Sequence, residues 1–577
     1  TAVMTRDVIS VRPSLPIDRL IVLLIDRGIG AAPVVDVTGR VAALAEAIHA
    51  RVSPALGYRA RGYTEIAITD DTDSANGSAT SLPYNTIRLF ATAPDDLSAL
   101  GDYDDWYLAL LTHEYTHIAH TDNISGVPAV VNVVLGKIYS PNQAQPRWLL
   151  EGLATVSESE HTSGGRIRSS LWDMYLRADV LDGRMASLDQ FSSNPFRFPG
   201  GNLWYIYGSR FLRWITDIYG PNTMRAVAAD YGGTLVPLGI NRSIRRATGK
   251  TYEELYVGFK DYIARLYAEQ MRAVEKRGLR EGARLTTHGR TVYYPRFLPR
   301  AARDGDAEQL IYFRDDSDER AGLWQLPLEA PAKGPRKETL IARTNGSSSA
   351  AFTPEGDLVF HGISTFRNLY DRDDLFRLPR GARSPQGDER ARRQLTQGLR
   401  AQYADVSPDG KSIVFTVNGK GTTYLEIADL AQDGSLQRRR DLVPSARFDQ
   451  AYTPRFSPDG KTVAYSAWSA GGFRDIRLVD VATAEMLVAL STATFFLVSG
   501  LLVFVLRARG LMVVAQDGAH IDLLLGLSVA AFGSAFIALV LFLGIGTGGV
   551  FAWVARRAPG QSVGSVTGIV AALETRN

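Results

Sequence analysis

Two histidines, His113 and His117, stand four residues apart in the segment Leu110-Leu-Thr-His-Glu-Tyr-Thr-His-Ile-Ala-His120. On a helix that spacing puts both imidazoles on one face, one turn apart, able to hold a single ion. Glu114 follows the first histidine, so its carboxylate reaches a water on the ion rather than the ion itself. Uncharged neighbours at 110–112, 115–116 and 118–119 suit a buried helix. Further on, Trp148-Leu-Leu-Glu151-Gly-Leu-Ala154 sets an acid within an apolar helical turn. A buried, unpaired carboxylate is costly, and a bound metal would explain it. The chain has 577 residues and no cysteine, so any metal ligands must be His, Asp or Glu and no disulfide forms.

The pair of motifs, HExxH followed by WLxEGLA, resembles the gluzincin zinc peptidases. The resemblance implies one Zn2+ ion held by His113, His117 and Glu151, with Glu114 as general base in the hydrolysis of a peptide or protein substrate. The interval from His117 to Glu151 is longer than in thermolysin-like enzymes, which points to an insertion at about Ser125–Gln145. A metzincin would carry a third histidine six residues after His117, but that position is Asn123. His120 is too far from His113 to share an ion with both histidines and reads as a residue behind the ligands or at the surface. The stretch Asn202-Leu-Trp-Tyr205-Ile-Tyr207-Gly208 resembles the helix that supplies an oxyanion-binding tyrosine in gluzincin aminopeptidases. Tyr205 has the matching place, three residues before the glycine, and Tyr207 is the alternative. Substrate could add as a strand beside Asn76, Gly77 and Ala79, in the polar segment before the strand at Thr86.

These residues need elements to position them. Helices are expected near 103–121, 146–160, 202–219 and 251–277, the last opening on a Thr251/Glu254 capping box. With two strands at Thr64–Thr69 and Thr86–Thr92, they suggest an α+β peptidase domain over 42–285. Over 286–486 the periodicity falls to two, and a turn motif recurs as Thr353-Pro-Glu-Gly356, Ser407-Pro-Asp-Gly410 and Ser457-Pro-Asp-Gly460. Proline pre-sets φ in such turns and glycine takes the positive-φ place. Multi-strand repeats of about 50 residues read as propeller blades, and the motif resembles TolB-type β-propellers. About four blades are expected, a propeller cut short that gates substrate or binds a protein partner. Basic runs such as Arg438-Arg439-Arg440 read as solvated loops. A net charge of +3 gives no reason to invoke nucleic acid.

The ends differ from the middle. Residues 1–41 resemble part of a CBS motif, carried by Val3-Met4-Thr5, Ile25-Asp26-Arg27-Gly28 and Pro33-Val34-Val35-Asp36; such motifs work in pairs and bind adenosine nucleotides. Residues 487–577 hold two charge-free stretches, Leu487–Leu506 and Leu523–Ala555, long enough to span a bilayer. Around Gly544–Gly549 this part resembles a nitrate/nitrite-type major facilitator transporter. The fold class expected is therefore multidomain: an α+β peptidase domain, an all-β propeller and C-terminal transmembrane helices. The location expected is membrane-associated, in a bacterial cell envelope, with the peptidase exported although no signal peptide opens the chain. CBS modules are cytosolic, whereas such peptidases and propellers are exported. That conflict suggests a composite chain with seams near 41 and 486. Two other readings draw on the same residues. One is a transporter-related protein with a CBS element, which leaves the middle unexplained. The other is an inactive peptidase-like binding protein, against which the intact Glu114 argues.

Overall fold

The computed structural model describes residues 40–482, apart from 97, 99, 102, 193–196, 281, 289–290, 304, 317–318, 331–335, 383–390, 420, 444–448 and 470–473. The CBS-like segment before 40 and the apolar stretches after 486 lie outside the described residues.

The first half begins with helix α1 (Arg40–Leu56) and a three-stranded sheet of β1 (Thr64–Thr69), β2 (Gly77–Thr80) and β3 (Asn85–Phe90). The order is β1-β3-β2, with β1 parallel and β2 antiparallel to the central β3, so β2 is an edge. Helices follow: α2 (Trp106–Thr121), α3 (Gly126–Leu135), α4 (Arg147–His161), α5 (Ser170–Leu181), α6 (Asn202–Tyr219), α7 (Thr223–Gly232), α8 (Asn241–Thr248) and α9 (Tyr252–Lys276). The side chain of Asp105 accepts from the Leu108 N–H at 3.3 Å and starts α2. The Thr251/Glu254 capping box starts α9, with its two bonds at 3.2 and 2.7 Å. One apolar core joins the sheet to the helices through Trp148, Phe211, Tyr252 and Phe259.

Helices α4 and α6 cross backbone to backbone. A Cβ on Gly152 would fall 2.6 Å from the Gly208 carbonyl carbon, and one on Gly208 would fall 2.1 Å from the Trp148 carbonyl oxygen. Only glycine permits that approach. The crossing sets Tyr205, one turn before Gly208, beside Glu151, one residue before Gly152.

The second half is a series of antiparallel sheets. They are β4 to β7 (Thr291–Phe297, Gln309–Asp315, Gly322–Pro327, Thr339–Arg343), β8 to β11 (Ala351–Phe352, Leu358–Phe366, Tyr370–Leu378, Arg393–Gln394), β12 to β15 (Ala401–Val406, Ser412–Gly419, Thr422–Leu430, Leu436–Val443) and β16 to β18 (Gln450–Phe456, Thr462–Trp468, Arg474–Asp480). The three recurring turns join the first and second strands of the last three sheets, with Gly356, Gly410 and Gly460 at φ of 90°, 72° and 71°. Consecutive sheets stack on shared apolar layers. Ile311 and Phe313 meet Phe360 and Phe376; Val359 and Leu375 meet Ile413 and Phe415; Val414 and Leu425 meet Val463 and Ala467. First strands also repeat a feature absent from the sequence motif. β4, β12 and β16 each carry a register shift, at Tyr293/Arg296, Gln402/Asp405 and Tyr452/Arg455. Tyr294, Tyr403 and Thr453 occupy these bulges at positive φ.

Two expectations are corrected here. The fold class ending in C-terminal transmembrane helices is not upheld: no helix among the described residues is long and apolar enough to cross a membrane. What the described residues show is strand-rich, with eighteen strands beside nine α-helices. The membrane-associated location expected from the same apolar stretches falls with it. Those stretches lie outside the described residues.

Two stability measurements test this architecture. Gly208→Ala drives a methyl into the Trp148 carbonyl and is expected to cost about 3 kcal/mol, read as a lower denaturant midpoint. Asp373 on β10 is buried, and burial, then the charge of Asp73, push its pKa up to about 8. A carboxyl whose folded pKa is raised contributes most stability below its unfolded value near 4 and loses it as pH rises through the folded one. Asp373→Asn should therefore be more stable than the parent at pH 9, by on the order of 1–3 kcal/mol, with the gain vanishing near pH 4.

Candidate metal centre

α2 and α4 lie side by side and turn three donors toward one point. His113 Nε2 is 3.2 Å from His117 Nε2, His117 Nε2 is 3.1 Å from Glu151 Oε2, and His113 Nε2 is 3.4 Å from the same oxygen. These three residues form the one group among the described residues able to share an ion, with ligand atoms all within 4.8 Å of one another. Zn–N and Zn–O bonds of ~2.0–2.1 Å at tetrahedral angles put ligand atoms about 3.3 Å apart. The donor set and its spacing therefore fit zinc.

The electrostatics agree with a cation at that point. Burial and the Arg166 charge push the His113 pKa down, yet hydrogen bonds to Glu151 and Glu158 outweigh them and hold it up at about 9. Burial alone would raise Glu151, but the facing imidazoles hold it well below the usual carboxylate range. Glu114 goes the other way. It is buried, and burial raises its pKa against the opposing pull of His113 and His117. A carboxylate with raised pKa beside a metal pocket suits a general base.

Sequence reasoning missed the supports of His113. Glu158, two turns beyond Glu151 on α4, accepts from His113 Nδ1 at 2.9 Å. Arg166, in a 3-10 turn at Arg166–Arg168, grips Glu158 through Nε at 2.7 Å, Nη2 at 2.6 Å and its backbone N–H at 3.0 Å. Burial would raise Glu158, but the Arg166 charge and these bonds bring it down to about 2. Arg166 Nη2 also comes within 2.6 Å of His113 Nδ1. That nitrogen serves one partner, and donation to the carboxylate is the choice that leaves Nε2 free to ligate. The seven-residue spacing of Glu151 and Glu158 was a readable signal, since it puts both on one helix face.

The remaining candidates separate cleanly. Tyr205 lies in the site: its ring is 6.1 Å from that of His113 and 4.7 Å from the Arg166 guanidinium, and burial, then the charge of Glu151, raise its pKa. Tyr207 turns away into the core, donating to Asp179 Oδ2 at 2.7 Å and accepting from the Ala186 N–H at 3.1 Å. His120 is buried outside the donor group, and burial pushes its pKa down to about 3. Asn123 ties the end of α1 by donating to the Leu56 carbonyl at 3.0 Å. Gly77 sits directly against Glu114, where a Cβ would lie 2.8 Å from both Glu114 Oε1 and Leu110 Cδ1. Asn76 turns its side chain onto the Gly77 N–H at 2.8 Å, and Ala79 faces Ile87 across the β2–β3 ladder. The edge strand β2 thus runs beside Glu114.

Comparison with known proteins matches only parts of the chain. A family model described as the CBS domain matches residues 1–44. A probable nitrate/nitrite transporter, NarK2 of Mycobacterium tuberculosis, is 81% identical over 37 residues, 6% of this chain and 9% of the relative. The chain thus spans under a tenth of that relative's length. Among solved structures, a putative TolB from Agrobacterium tumefaciens is similar at 20% identity and a TM-score of 0.23, covering 30% of this chain and 57% of that one. A puromycin-hydrolyzing peptidase of Mycobacterium tuberculosis is similar at 16% identity and a TM-score of 0.24, covering 33% and 28%. Propellers and peptidases are therefore among the similar solved structures, but the likeness is too slight to carry an argument about this site.

Glu158→Gln keeps the shape of the site but weakens the acceptor that orients His113. Its zinc affinity is expected to fall ~10–100-fold, measured by competition with a chromophoric chelator.

Proposed function

We propose that the chain is a zinc-dependent peptide hydrolase. The observation that carries the reading is the convergence of His113, His117 and Glu151 at zinc-ligand spacing, with the raised-pKa carboxylate of Glu114 between them and the open edge of β2. Zinc, when bound, supplies Lewis acidity toward water and the scissile carbonyl.

The chain's own residues supply the rest. An extended peptide pairs along β2 at Asn76, Gly77 and Ala79, which lays its backbone across Glu114. Glu114 accepts the proton of the attacking water and returns it to the leaving amine nitrogen. Burial makes that carboxylate more basic than a solvated one. The Tyr205 hydroxyl, held protonated by its raised pKa, donates to the developing oxyanion. Glu158 and Arg166 fix the His113 ring, so that no reorganisation is needed as charge develops. The sheets of the second half limit access to the site or hold a protein partner.

The test compares parent and Glu114→Gln for zinc content and for cleavage of casein and synthetic peptides. The variant should keep one zinc and lose about 10²–10⁴-fold in kcat. Equal hydrolysis by both proteins, or hydrolysis that survives zinc removal, would sink the reading.

A further inference from the structure

The loop 70–76 joins β1 to β2 and must cross the end of β3, because β1 and β2 flank that strand on opposite sides. It carries three carboxylates, Asp70, Asp71 and Asp73, in four residues. The side chain of Asp73 is only 2% exposed. A crowded acidic loop with a buried carboxylate does not hold a fixed path without cations to face it.

Those cations come from the sheets some three hundred residues on. Arg372 on β10 reaches Asp73 Oδ1 at 3.0 Å through Nη1 and bonds the Asp70 carbonyl through Nη2. Arg400, just before β12, reaches the same Asp73 oxygen at 2.7 Å through Nε and pairs with Asp70 through Nη2. The Asp373 N–H donates to Asp73 Oδ2 at 2.8 Å. Backbones join as well: the Asp73 N–H donates to the Asp371 carbonyl at 3.0 Å and the Asp371 N–H to the Asp71 carbonyl at 2.9 Å. Thr72 and Asp371 thereby form a parallel β-bridge. Burial pushes Asp73 up to about 6 against the pull of Arg400 and of the Asp373 N–H, so its ionised form depends on those partners.

Four residues after Asp73 the chain reaches Gly77, which leaves no room for a side chain against Glu114: a Cβ there would lie 2.8 Å from Glu114 Oε1. β2 has four residues and is laddered to β3 alone. Its position over the general base is therefore set at one end by the grip on the loop. We infer that Arg372 and Arg400 are positioning residues, which act through Asp73 and the loop 70–76 to hold β2 where an extended substrate must pair. The sheet half of the chain then has a role in the reaction beyond gating: it completes the substrate-binding edge. The inference rests on the peptidase reading for its kinetic consequence, but not for its structural one.

The test uses the full chain loaded with zinc and the variants Arg372→Ala/Arg400→Ala, Arg400→Gln and Arg400→Lys. Amide hydrogen exchange is followed over 70–80 and over α2. The double variant should exchange at least tenfold faster over 70–80, with α2 and zinc content unchanged. KM for a decapeptide should rise about tenfold while kcat stays within threefold, and a tripeptide too short to follow β2 should be little affected. Arg400→Gln should show a smaller effect of the same kind and remains informative if the double variant fails to fold. Arg400→Lys should recover part of the loss. Unchanged exchange over 70–80 overturns the inference, and so does loosening spread evenly over both halves or accompanied by zinc loss. Absence of hydrolysis in the parent would count against the peptidase reading alone, because the exchange result does not depend on turnover.

Discussion

Two imidazole nitrogens and one carboxylate oxygen lie 3.1–3.4 Å apart around a common centre inside the protein. Atoms of these kinds stay so close only by sharing a positive charge, whether a proton or a cation, and the helices of the first half keep them together. The i,i+4 spacing on α2 sets two donors, while α4 brings the third. α4 in turn is held by a crossing so close that Gly152 and Gly208 admit no side chain. Glu158 and Arg166 form a buried ion pair behind His113, and a buried pair is tolerable only when its remaining hydrogen bonds are made. Here the imidazole and the Arg166 backbone N–H make them.

The convergence of His113, His117 and Glu151 was legible because helical spacing and an acid among apolar residues are local signals. The same is true of the Thr251/Glu254 cap and of the three proline–glycine turns. What escaped notice is non-local or has no side-chain signature. Arg166 reaches His113 across a loop and a helix boundary. The bulges at Tyr294, Tyr403 and Thr453 place non-glycine residues at positive φ, and nothing in those residue types announces it. The preference for Tyr205 over Tyr207 rested on a resemblance and on its place before Gly208, not on anything that shows where either ring points. Two residues apart on a helix, they face different ways, and only the packing of α6 shows that Tyr205 takes the site and Tyr207 the core. The membrane location expected from the apolar stretches in 487–577 finds no support among the described residues, where no helix is long and apolar enough to cross a membrane.

The two halves meet at the segments that lead into the working elements. Besides the loop 70–76, the segment entering α2 is held: Asn418 donates to the Ala93 carbonyl at 2.6 Å, Trp468 to Asp104 Oδ1 at 2.9 Å, and Arg474 pairs with Asp96. Both the strand beside Glu114 and the helix bearing His113 and His117 thus start from points fixed by the sheets. Composition shifts along the chain suggest independent modules, but these hydrogen bonds make the half that bears His113, His117 and Glu151 depend on its neighbour.

The bulged first strands carry one more implication. Tyr294 of the first sheet donates its hydroxyl proton to Tyr403 of the third at 3.1 Å, and Arg296 reaches Asp405 at 2.8 Å. Asp405 also accepts from the Phe456 N–H of the fourth sheet at 2.8 Å. In repeat arrays whose units touch only their neighbours, units can be lost one at a time from an end. Links that skip a neighbour remove that freedom. The first three sheets are therefore expected to melt together, as a single cooperative unit, rather than to fray in succession.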